Sequence, residues 1–545
     1  MADAADTLRH FARRWATPDA GARLIRYVLS ASAFLALCAV YNAGALREGL
    51  GNPDNVSFVI EAQDLLRGNW NLHGWTIVNS AWWPVQPSVY AALLLIRGPV
   101  GAPQAAAALA WATVVACAVW AAVRSFGGWT AFIAGAVAFL LVGLPAVDTI
   151  TTAIGHVATA PFEALTTAGG LLSLVLFTRA VFRRPEECEG TLVRAGLRAG
   201  AAVLVAGCAV AGDILAVATV IVPVLALAAL DVFRRGRRGR AAAGAAFAML
   251  ALGLSRCLLW LLSATHGEQL LQPVNWISFA PFESFFSRNL PLALQGLIGF
   301  YGAYWFGRPV LELATLYVLV HLAALVFVLY AVGRTLLAVG TGAKLDWLTG
   351  VLALGFVANL GAYASSTLPA SLYTSRYLLA VLPYGAVVAA RVLGEMLRDA
   401  GLRKRLMVGG TLVLLAAASL SSFAVWFEDS VYVSPRTKVV RWLVDHHLRY
   451  GYAQYSDAAA LTVESGGRLT VRPIGQWSDH RVGPIPYSAR HWYSEPTTFV
   501  VFHDEDATGV SVLAAERTFG PDHGLDTIGP YRVAAWRHVI QVPGP

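Results

Sequence analysis

The apolar runs of this sequence constrain its fold more than any other feature. A helix needs about 20 apolar residues to cross a bilayer, and eleven runs reach or approach that length. They lie near residues 24–46, 104–123, 128–144, 158–180, 198–212, 214–232, 241–264, 310–333, 347–363, 376–395 and 405–427. Only 14% of the 545 residues are charged, whereas soluble domains carry about 25%. The sequence therefore predicts an all-α polytopic membrane domain, with 128–144 and 198–212 as its marginal spans.

Two further apolar runs, 85–98 and 289–306, decide how often the chain crosses the membrane. If neither crosses, all the basic segments between spans fall on the side of the N-terminus, as expected of cytoplasmic loops. Those segments are Arg124, 179–198, 234–240, 334–344 and 398–405. We therefore predict about eleven spans, a cytoplasmic N-terminus and interfacial or re-entrant positions for both runs; if both cross, the count is thirteen. The net charge of +8 lies in these loops and does not predict nucleic-acid binding.

Hydropathy falls beyond residue 428, so residues 1–428 are predicted to form the membrane domain and 429–545 a small soluble domain on its outer, periplasmic side. Three segments of the tail alternate in polarity or are rich in β-branched and aromatic residues, which favours strands. They are Arg468–Ile474, Thr497–Phe502 and Tyr531–Ile540. Thr437–Tyr450 has a helical pattern. This mixture predicts an α/β or α+β domain.

The first outer loop, 47–103, carries the most informative polar stretch, Asn52–Trp75. Asp54 follows the first apolar run by a few residues and begins a short amphipathic pattern. That helix is predicted to end at Gly68, and the indole-rich sequence after it favours a membrane–water interface. The carboxylate of Asp54 is therefore predicted to lie at the membrane surface. The alternative is that Asp54 only caps the helix. His73, in the same loop, is a candidate for contact with a substrate.

Other candidate residues lie at the outer ends of spans. Asp148 follows the third run, and an unpaired carboxylate near hydrocarbon favours function, although it also suits a helix N-cap. His156 and Asp213 are candidates for binding a substrate. The alternatives are a hydrogen-bonded structural histidine and, for Asp213, a tight turn that Gly212 permits. Glu163 is a weaker candidate.

Arginines at the membrane border are candidates for binding a phosphate. A guanidinium grips two phosphate oxygens in a fork, and Arg376 opens the tenth span. Arg308 is the second candidate and Arg288 a fallback. The alternative for Arg376 is a side chain that reaches out to lipid headgroups.

These motifs resemble the polyprenyl-phosphate-sugar-dependent glycosyltransferases of the GT-C class, which include the aminoarabinose transferases and protein O-mannosyltransferases. Members carry an Asp after the first span, then a helix ending in a Gly-Asp/Asn-Trp turn; here these are Asp54 and Gly68-Asn69-Trp70. An acid in the second outer loop matches Asp148, and an Arg-Tyr-Leu…Pro pattern opening a late span matches Arg376. Asn55 stands where many members have a second acid.

The resemblance implies a membrane enzyme that transfers a sugar, with inversion, from a polyprenyl phosphate to a lipid, glycan or protein of the bacterial envelope. Asp54 is the implied general base. Arg376 stabilises the leaving phosphate, and Asp148 orients the acceptor or helps hold a divalent ion. Because Asn55 replaces the second acid, we predict no cofactor and favour metal independence over a bound divalent metal. The expected partners are the lipid-linked donor, membrane lipids and an envelope acceptor, at the bacterial inner membrane.

Two other classes of function stay open at this point. A transporter or lipid flippase would bury its acids in mid-membrane and couple them to ions. A non-catalytic envelope scaffold would carry a decayed site, which the replacement at Asn55 allows. The sequence contains no nucleotide-binding motif and no CxxC or HExxH pattern, so nucleotide donors and a thiolate or HExxH zinc site are not predicted.

Overall fold

A computed structural model describes residues 18–50, 53–78, 80, 82–144, 161–182, 192–234, 236–271, 277–343, 345–428, 433–503, 509–521 and 523–542. Up to residue 428 the described chain is almost entirely helical. The helices are α1 (Pro18–Glu48), α2 (Pro53–Leu66), α3 (Val85–Val123), α4 (Gly128–Val142), α5 (Pro161–Val181), α6 (Leu192–Gly212), α7 (Val222–Val232), α8 (Arg238–Ala264), α9 (Leu290–Phe300), α10 (Leu313–Thr341), α11 (Trp347–Ser365), α12 (Val381–Arg398) and α13 (Leu402–Val425). A π-helical turn, Val217–Ile221, precedes α7, and a 3-10 turn, Leu372–Leu378, precedes α12.

Eight of the described helices are long and apolar enough to cross a membrane: α1, α3, α5, α6, α8, α10, α11 and α13. The turn Leu372–Leu378 together with α12 forms a ninth candidate, bent by 50°. The shorter α4, and α7 with its π-helical turn, are also apolar. Each predicted run corresponds to one of these helices, so the protein is a multi-pass membrane protein with a helical membrane domain, as the sequence indicates.

The two ambiguous runs have different structures. Residues 85–98 form the first part of α3, which kinks at Gly98 because this residue has a φ of 67°. The second run contains α9, whose 11 residues extend about 16 Å. A hydrocarbon core is about 30 Å thick, so α9 alone is too short to cross it.

The centre of the helical bundle is α12, whose side chains are almost all buried against α4, α10, α11 and α3. Tyr384 on this helix is fully buried. Its ring lies against Gly355 of α11, where a Cβ atom would come within 2.7 Å of the Tyr384 Cε2 atom. Small residues therefore let these helices pack closely, as membrane helices commonly do.

Basic side chains cluster at one end of the bundle. Arg237, before α8, donates to the carbonyl oxygen of Gly342 after α10 at 3.0 Å. Arg391 of α12 donates to the carbonyl oxygen of Ala121 near the end of α3 at 2.7 Å. These contacts bring the ends of several predicted basic loops together, away from Asp54. Which side of the membrane this end faces stays a prediction.

Arg391→Ala is expected to destabilise the bundle by roughly 3–5 kcal/mol, because the change breaks a buried, paired charge. The Arg391 side chain is 2% exposed, and its guanidinium contacts Thr349 Oγ1, Ser125 Oγ and Asp346 Oδ2 at 2.7, 2.7 and 3.0 Å. The thermal unfolding midpoint in detergent measures the effect. The exposed Arg403 at the same end provides the control Arg403→Ala, which should match wild type. Equal midpoints for both variants would contradict this role for Arg391.

The C-terminal part has a mixed six-stranded sheet with helices. Its elements are α14 (Arg436–Asp445), β3 (Tyr450–Gln454), α15 (Tyr455–Glu464), β4 (Thr470–Gln476), β5 (Val482–Pro484), β6 (Ser488–Ala489), β7 (Thr497–His503), α16 (Val512–Phe519), β8 (His523–Ile528) and β9 (Tyr531–Ile540). The strand order is β5-β4-β3-β7-β9-β8. Because β3 pairs in parallel with both β4 and β7, the domain is α/β, one of the two predicted classes.

The three predicted strands of the tail are confirmed as β4, β7 and β9, with β4 two residues later than expected. The predicted helix Thr437–Tyr450 ends earlier, at Asp445, because the chain then turns into β3. This strand was missed. Its five residues, YGYAQ, are mostly buried. This burial comes from the strands on either side of β3, which are β4 and β7, and the short sequence alone does not indicate it.

A second, three-stranded sheet joins this domain to the membrane domain. Its central strand is β1 (Trp75–Val78), which pairs in parallel with β2 (Gln269–Leu271) and antiparallel with β6. The Tyr487 hydroxyl, beside β6, also donates to the carbonyl oxygen of Val78 at 3.0 Å. The C-terminal domain is thereby held over the loop that contains α2.

Candidate active site

A polar pocket lies at the end of the helical bundle opposite the basic cluster. Asp54 reaches it from the first turn of α2, Glu163 from the first turn of α5, Asp213 from the residue after α6, and Arg376 from the 3-10 turn. These residues are distant in sequence, but the helix ends that carry them all lie around the same pocket. The pocket holds about 40 Å³, far less than the roughly 300–1,000 Å³ of small-molecule sites, so this conformation is closed.

The C-terminal domain covers the pocket with two tyrosines. The Tyr455 hydroxyl donates a hydrogen bond to Asp54 Oδ1 at 2.6 Å, and Tyr487 lines the pocket. Burial and the charge of Asp54 raise the pKa of Tyr455 well above its usual value. Tyr455 therefore stays protonated and acts as a donor, which fixes one oxygen of the Asp54 carboxylate.

Asn55, at the position where many GT-C members have a second acid, is buried beside α3. Its Oδ1 atom accepts a hydrogen bond from the Tyr90 hydroxyl. Among the residues the structure describes, no group of three or more His, Cys, Asp or Glu side chains is suited to hold a metal ion. The described part of the site therefore does not fit the metal centre that a second acid would support.

Arg376 is held in the pocket by an acid and two aromatic rings. Its Nε atom lies 3.3 Å from Glu163 Oε1, and its Nη1 atom donates to the Tyr373 hydroxyl at 2.9 Å. The guanidinium also lies over the rings of Tyr373 and Tyr377, 4.8 and 5.2 Å from their centroids. These contacts orient a cation beside Asp54, and the buried Glu163, the weakest candidate from sequence, is its counter-ion.

Asp213 lies at the predicted turn and also lines the pocket. Its Oδ1 atom accepts from the backbone N–H of Leu215 at 2.9 Å, which stabilises the turn after α6, and its side chain lines the pocket. Burial raises the pKa of Asp213 to about 6, although the Leu215 N–H, Thr166 and Arg376 oppose the shift. Asp213 is therefore a carboxyl group that changes charge near neutral pH.

A second buried acid on α2, Glu61, lies two helical turns beyond Asp54. Burial, together with the charge of Asp54, raises the pKa of Glu61 well above its usual value. Burial and Glu61 raise the pKa of Glu268, before β2, well above its usual value. Burial therefore favours the neutral form of both carboxyl groups beside Asp54.

Three other sequence candidates that the structure describes do not line the pocket. His73 is exposed, and its Nδ1 atom lies 2.6 Å from the carbonyl oxygen of His266, a contact between two loops. The Arg308 Nε atom donates to the carbonyl oxygen of Tyr304, and Arg288 contacts Asn289. Asp148 and His156 lie outside the described residues.

Comparison with known proteins identifies the fold. No family model matches the chain, and no curated protein matches it. The crystal structure of ArnT from Cupriavidus metallidurans bound to undecaprenyl phosphate aligns at a TM-score of 0.54 and 13% identity, over 93% of this chain and 97% of that chain. The apo form of the same protein aligns at 0.55 and 12% identity, over 94% and 98%. The archaeal oligosaccharyltransferase AglB from Archaeoglobus fulgidus aligns at only 0.47 and 11% identity, over 92% and 74%.

The chain therefore has the fold of the GT-C membrane glycosyltransferases, as its motifs predict. The likeness extends over nearly all of both chains, including the C-terminal domain. At 12–13% identity it establishes the architecture, and the chemistry has to be argued from the pocket.

Proposed function

We propose that this protein is an inverting glycosyltransferase that moves a sugar from a polyprenyl-phosphate donor to an acceptor of the bacterial envelope, on the periplasmic face. The observation that carries the proposal is the meeting of Asp54 and Arg376 in one pocket at the ends of apolar helices. A carboxylate and an oriented guanidinium are the base and the phosphate-binding group that this reaction needs. The solved relative with undecaprenyl phosphate bound has the same fold and supports a lipid-linked donor.

In the proposed reaction, one bond forms, one bond breaks and Asp54 takes up the proton that is released. An acceptor hydroxyl oxygen bonds to the anomeric carbon of the sugar while the bond from that carbon to the phosphate oxygen breaks. The polyprenyl phosphate leaves with the electron pair, and the hydroxyl proton moves to Asp54. To act as the base, Asp54 needs hydrogen-bond reach to that hydroxyl. Tyr455 orients Asp54 through one of its two oxygens.

Arg376 binds and stabilises the phosphate as negative charge develops on it. Such a donor acts most strongly when it is already oriented in a site that excludes water. Glu163 and Tyr373 supply that orientation through the Nε and Nη1 atoms. Asp213 is proposed to orient the acceptor. Asp148 lies outside the described residues, and its role, to orient the acceptor or help hold a divalent ion, stays a prediction.

The location of the acids favours this proposal over a transporter. A transporter would place them near mid-membrane, whereas Asp54, Glu163 and Asp213 line a pocket at helix ends. Mass spectrometry of envelope lipids, glycans and proteins from cells with and without the protein tests the proposal. We expect one sugar modification to disappear with the protein and to return with wild type but not with Asp54→Asn.

Chelation is expected to leave transfer unchanged. Asn55 is turned toward Tyr90, and the described residues offer no set of three metal ligands, so we derive no step through a metal. EDTA removes metal ions but leaves the proposed base, Asp54, in place. The transfer rate of purified protein should therefore stay within about twofold of the untreated rate. A large loss that Mg²⁺, Mn²⁺ or Zn²⁺ restores would contradict metal independence.

The proposed orientation places the pocket and the C-terminal domain in the periplasm. In a cysteine-free background, Arg67→Cys and Arg468→Cys provide exposed thiols on α2's loop and on the C-terminal domain, and Arg403→Cys provides one at the basic end. An impermeant maleimide added to intact spheroplasts should label the first two and not the third. The proposed orientation rests on the positive-inside rule. Labelling of only Arg403→Cys would show that the protein has the opposite orientation.

A further inference from the structure

Two apolar cavities adjoin the polar pocket on either side of Asp213. One holds about 270 Å³ between α3, α5 and α6 and includes Gln86; we call it the Gln86 cavity. The other holds about 220 Å³ beside α7 and α11 and includes Tyr377; we call it the Tyr377 cavity. The segment from Gly212 to Leu215 contributes lining residues to the polar pocket and to both cavities. Apolar space therefore adjoins the closed pocket on two sides.

The Tyr377 cavity is in position for the chain of the donor. It shares Tyr377, Leu215 and Leu368 with the polar pocket, and Tyr377 directly follows Arg376. If Arg376 holds the phosphate, as proposed above, the polyprenyl chain attached to that phosphate enters this cavity. The Gln86 cavity, which shares Trp82 with the pocket, is then left for a different molecule.

The residues that line the Gln86 cavity restrict the chemical class of the molecule that it can bind. They are almost wholly apolar and include Leu204, which is 55% exposed on α6, a helix long and apolar enough to cross a membrane. Leu204 lies nine residues before Asp213, about 13 Å along a helix. A cavity at this depth on a lipid-facing flank suits a hydrocarbon chain and does not suit a glycan or a folded protein.

Gln86 and Thr166 are the polar exceptions among these mostly apolar lining residues, and Gln86 has an unmet acceptor. Gln86 is 2% exposed, and its Oε1 atom is buried without a hydrogen-bond partner among the described residues. Buried acceptors in native structures nearly always have a partner, and an unmet one is destabilising. A ligand with an N–H or O–H group near the head of its chain would supply the missing donor.

We propose that the acceptor is a membrane lipid whose hydrocarbon chain lies in the Gln86 cavity and whose amide N–H or hydroxyl donates to Gln86 Oε1. This inference rests on the proposed function for its assignment of the two cavities. It narrows the acceptor from a lipid, glycan or protein to a lipid that carries a hydrogen-bond donor where its chain meets its head group. The sugar-accepting hydroxyl of that lipid would then lie beyond Trp82, toward Asp54.

Photolabelling of the full-length protein in lipid nanodiscs tests the inference. The probe is N-hexadecanoylethanolamine with a diazirine in its chain, which has an N–H donor, and its partner is the methyl ester of the same acid, which has no donor. Peptide mapping should find amide-probe adducts on the wall residues 165–169 and 204–209, and about fivefold fewer with the ester, the net worth of one hydrogen bond. Equal labelling by both probes, or adducts spread over the lipid-facing surface, would overturn the proposal.

Variants separate a specific cavity from general contact with lipid. Gln86→Leu should remove the preference for the amide probe, and Cys208→Phe, which fills the cavity, should reduce labelling by both probes. Leu197→Phe is the matched control, because Leu197 is exposed on the same helix away from the cavity, and its labelling should equal wild type. If Cys208→Phe does not fold, Gln86→Leu alone decides. A retained amide preference in Gln86→Leu would refute the assigned hydrogen bond.

The two proposals fail in different ways. Labelling reports lipid binding without turnover, so a protein that shows the predicted labelling but transfers no sugar would refute the proposed function and leave the lipid site in place. A protein that transfers sugar to a water-soluble glycan or a protein would support the function and refute the lipid acceptor. Ala362→Phe, which fills the Tyr377 cavity, should weaken the binding of undecaprenyl phosphate and not amide-probe labelling. The reverse result would contradict the assignment of the cavities.

Discussion

Asp54→Asn is expected to lower the rate of sugar transfer by about 10²–10⁴-fold, the usual contribution of a positioned general base. The amide keeps the size of the side chain and can still accept the hydrogen bond from Tyr455. It cannot take a proton from the acceptor. Folding and binding of the donor should therefore survive while the chemical step is lost. The measurement is the transfer rate at saturating donor with purified, monodisperse protein.

Asp64→Asn is the matched control for this prediction. Asp64 lies on the same helix and accepts hydrogen bonds from Asn69 and Trp75 outside the pocket, so its variant should transfer at the wild-type rate. If Asp54 is only a cap, Asp54→Asn should be nearly silent, and Asp54→Ala should cost about 1 kcal/mol of stability with the chemistry intact. A rate for Asp54→Asn within about threefold of wild type, far from the loss expected of a missing base, would remove Asp54 from the mechanism.

Arg376→Ala is expected to lower donor turnover by about 10²–10³-fold, as loss of one oriented donor to a developing charge does elsewhere. Arg376→Lys should recover only part of the activity, because an ammonium offers a point charge and not a planar fork. Turnover of a polyprenyl-phosphate-sugar donor by purified protein measures both. Wild-type activity in Arg376→Ala would contradict the phosphate role and leave the arginine as an anchor to headgroups.

The structure adds a control that the sequence does not offer. Arg376→Ala leaves the buried Glu163 without its counter-ion, which is itself destabilising. The double variant Arg376→Ala/Glu163→Gln removes the buried charge and should restore stability but not turnover. Arg308→Ala tests the second phosphate candidate, and its activity should equal wild type because its guanidinium contacts Tyr304 outside the pocket. Recovery of turnover in the double variant would show that the loss in Arg376→Ala came from misfolding.

The helical part of this fold was predictable because the membrane imposes a length and a composition on each span. The positions of Asp54, Asp213 and Arg376 at one end follow from counting those spans and from the side on which basic loops fall. Hydropathy could not resolve the first part of α3, since an apolar helix kinked at Gly98 has the same composition as two separate apolar segments.

The residues that complete the pocket were not predictable in the same way. Tyr455 contacts Asp54 across a sequence separation of 401 residues, and nothing in its local sequence distinguishes it from an ordinary tyrosine after a strand. Glu163 was recognised only as a buried acid near the outer end of a span, and its pairing with Arg376 depends on how α5 packs near the 3-10 turn. Both contacts come from tertiary packing and not from a local pattern.

The most direct measurement of the central claim is a transfer assay with purified protein in nanodiscs. Undecaprenyl phosphate carrying a radiolabelled sugar is supplied together with a total lipid extract of bacterial envelopes, and the label is followed by chromatography. We predict that wild type moves the label from the donor to a new product and releases unlabelled undecaprenyl phosphate, while Asp54→Asn leaves the label on the donor. Label that stays on the donor with wild type, or that moves equally fast with Asp54→Asn, would contradict the account.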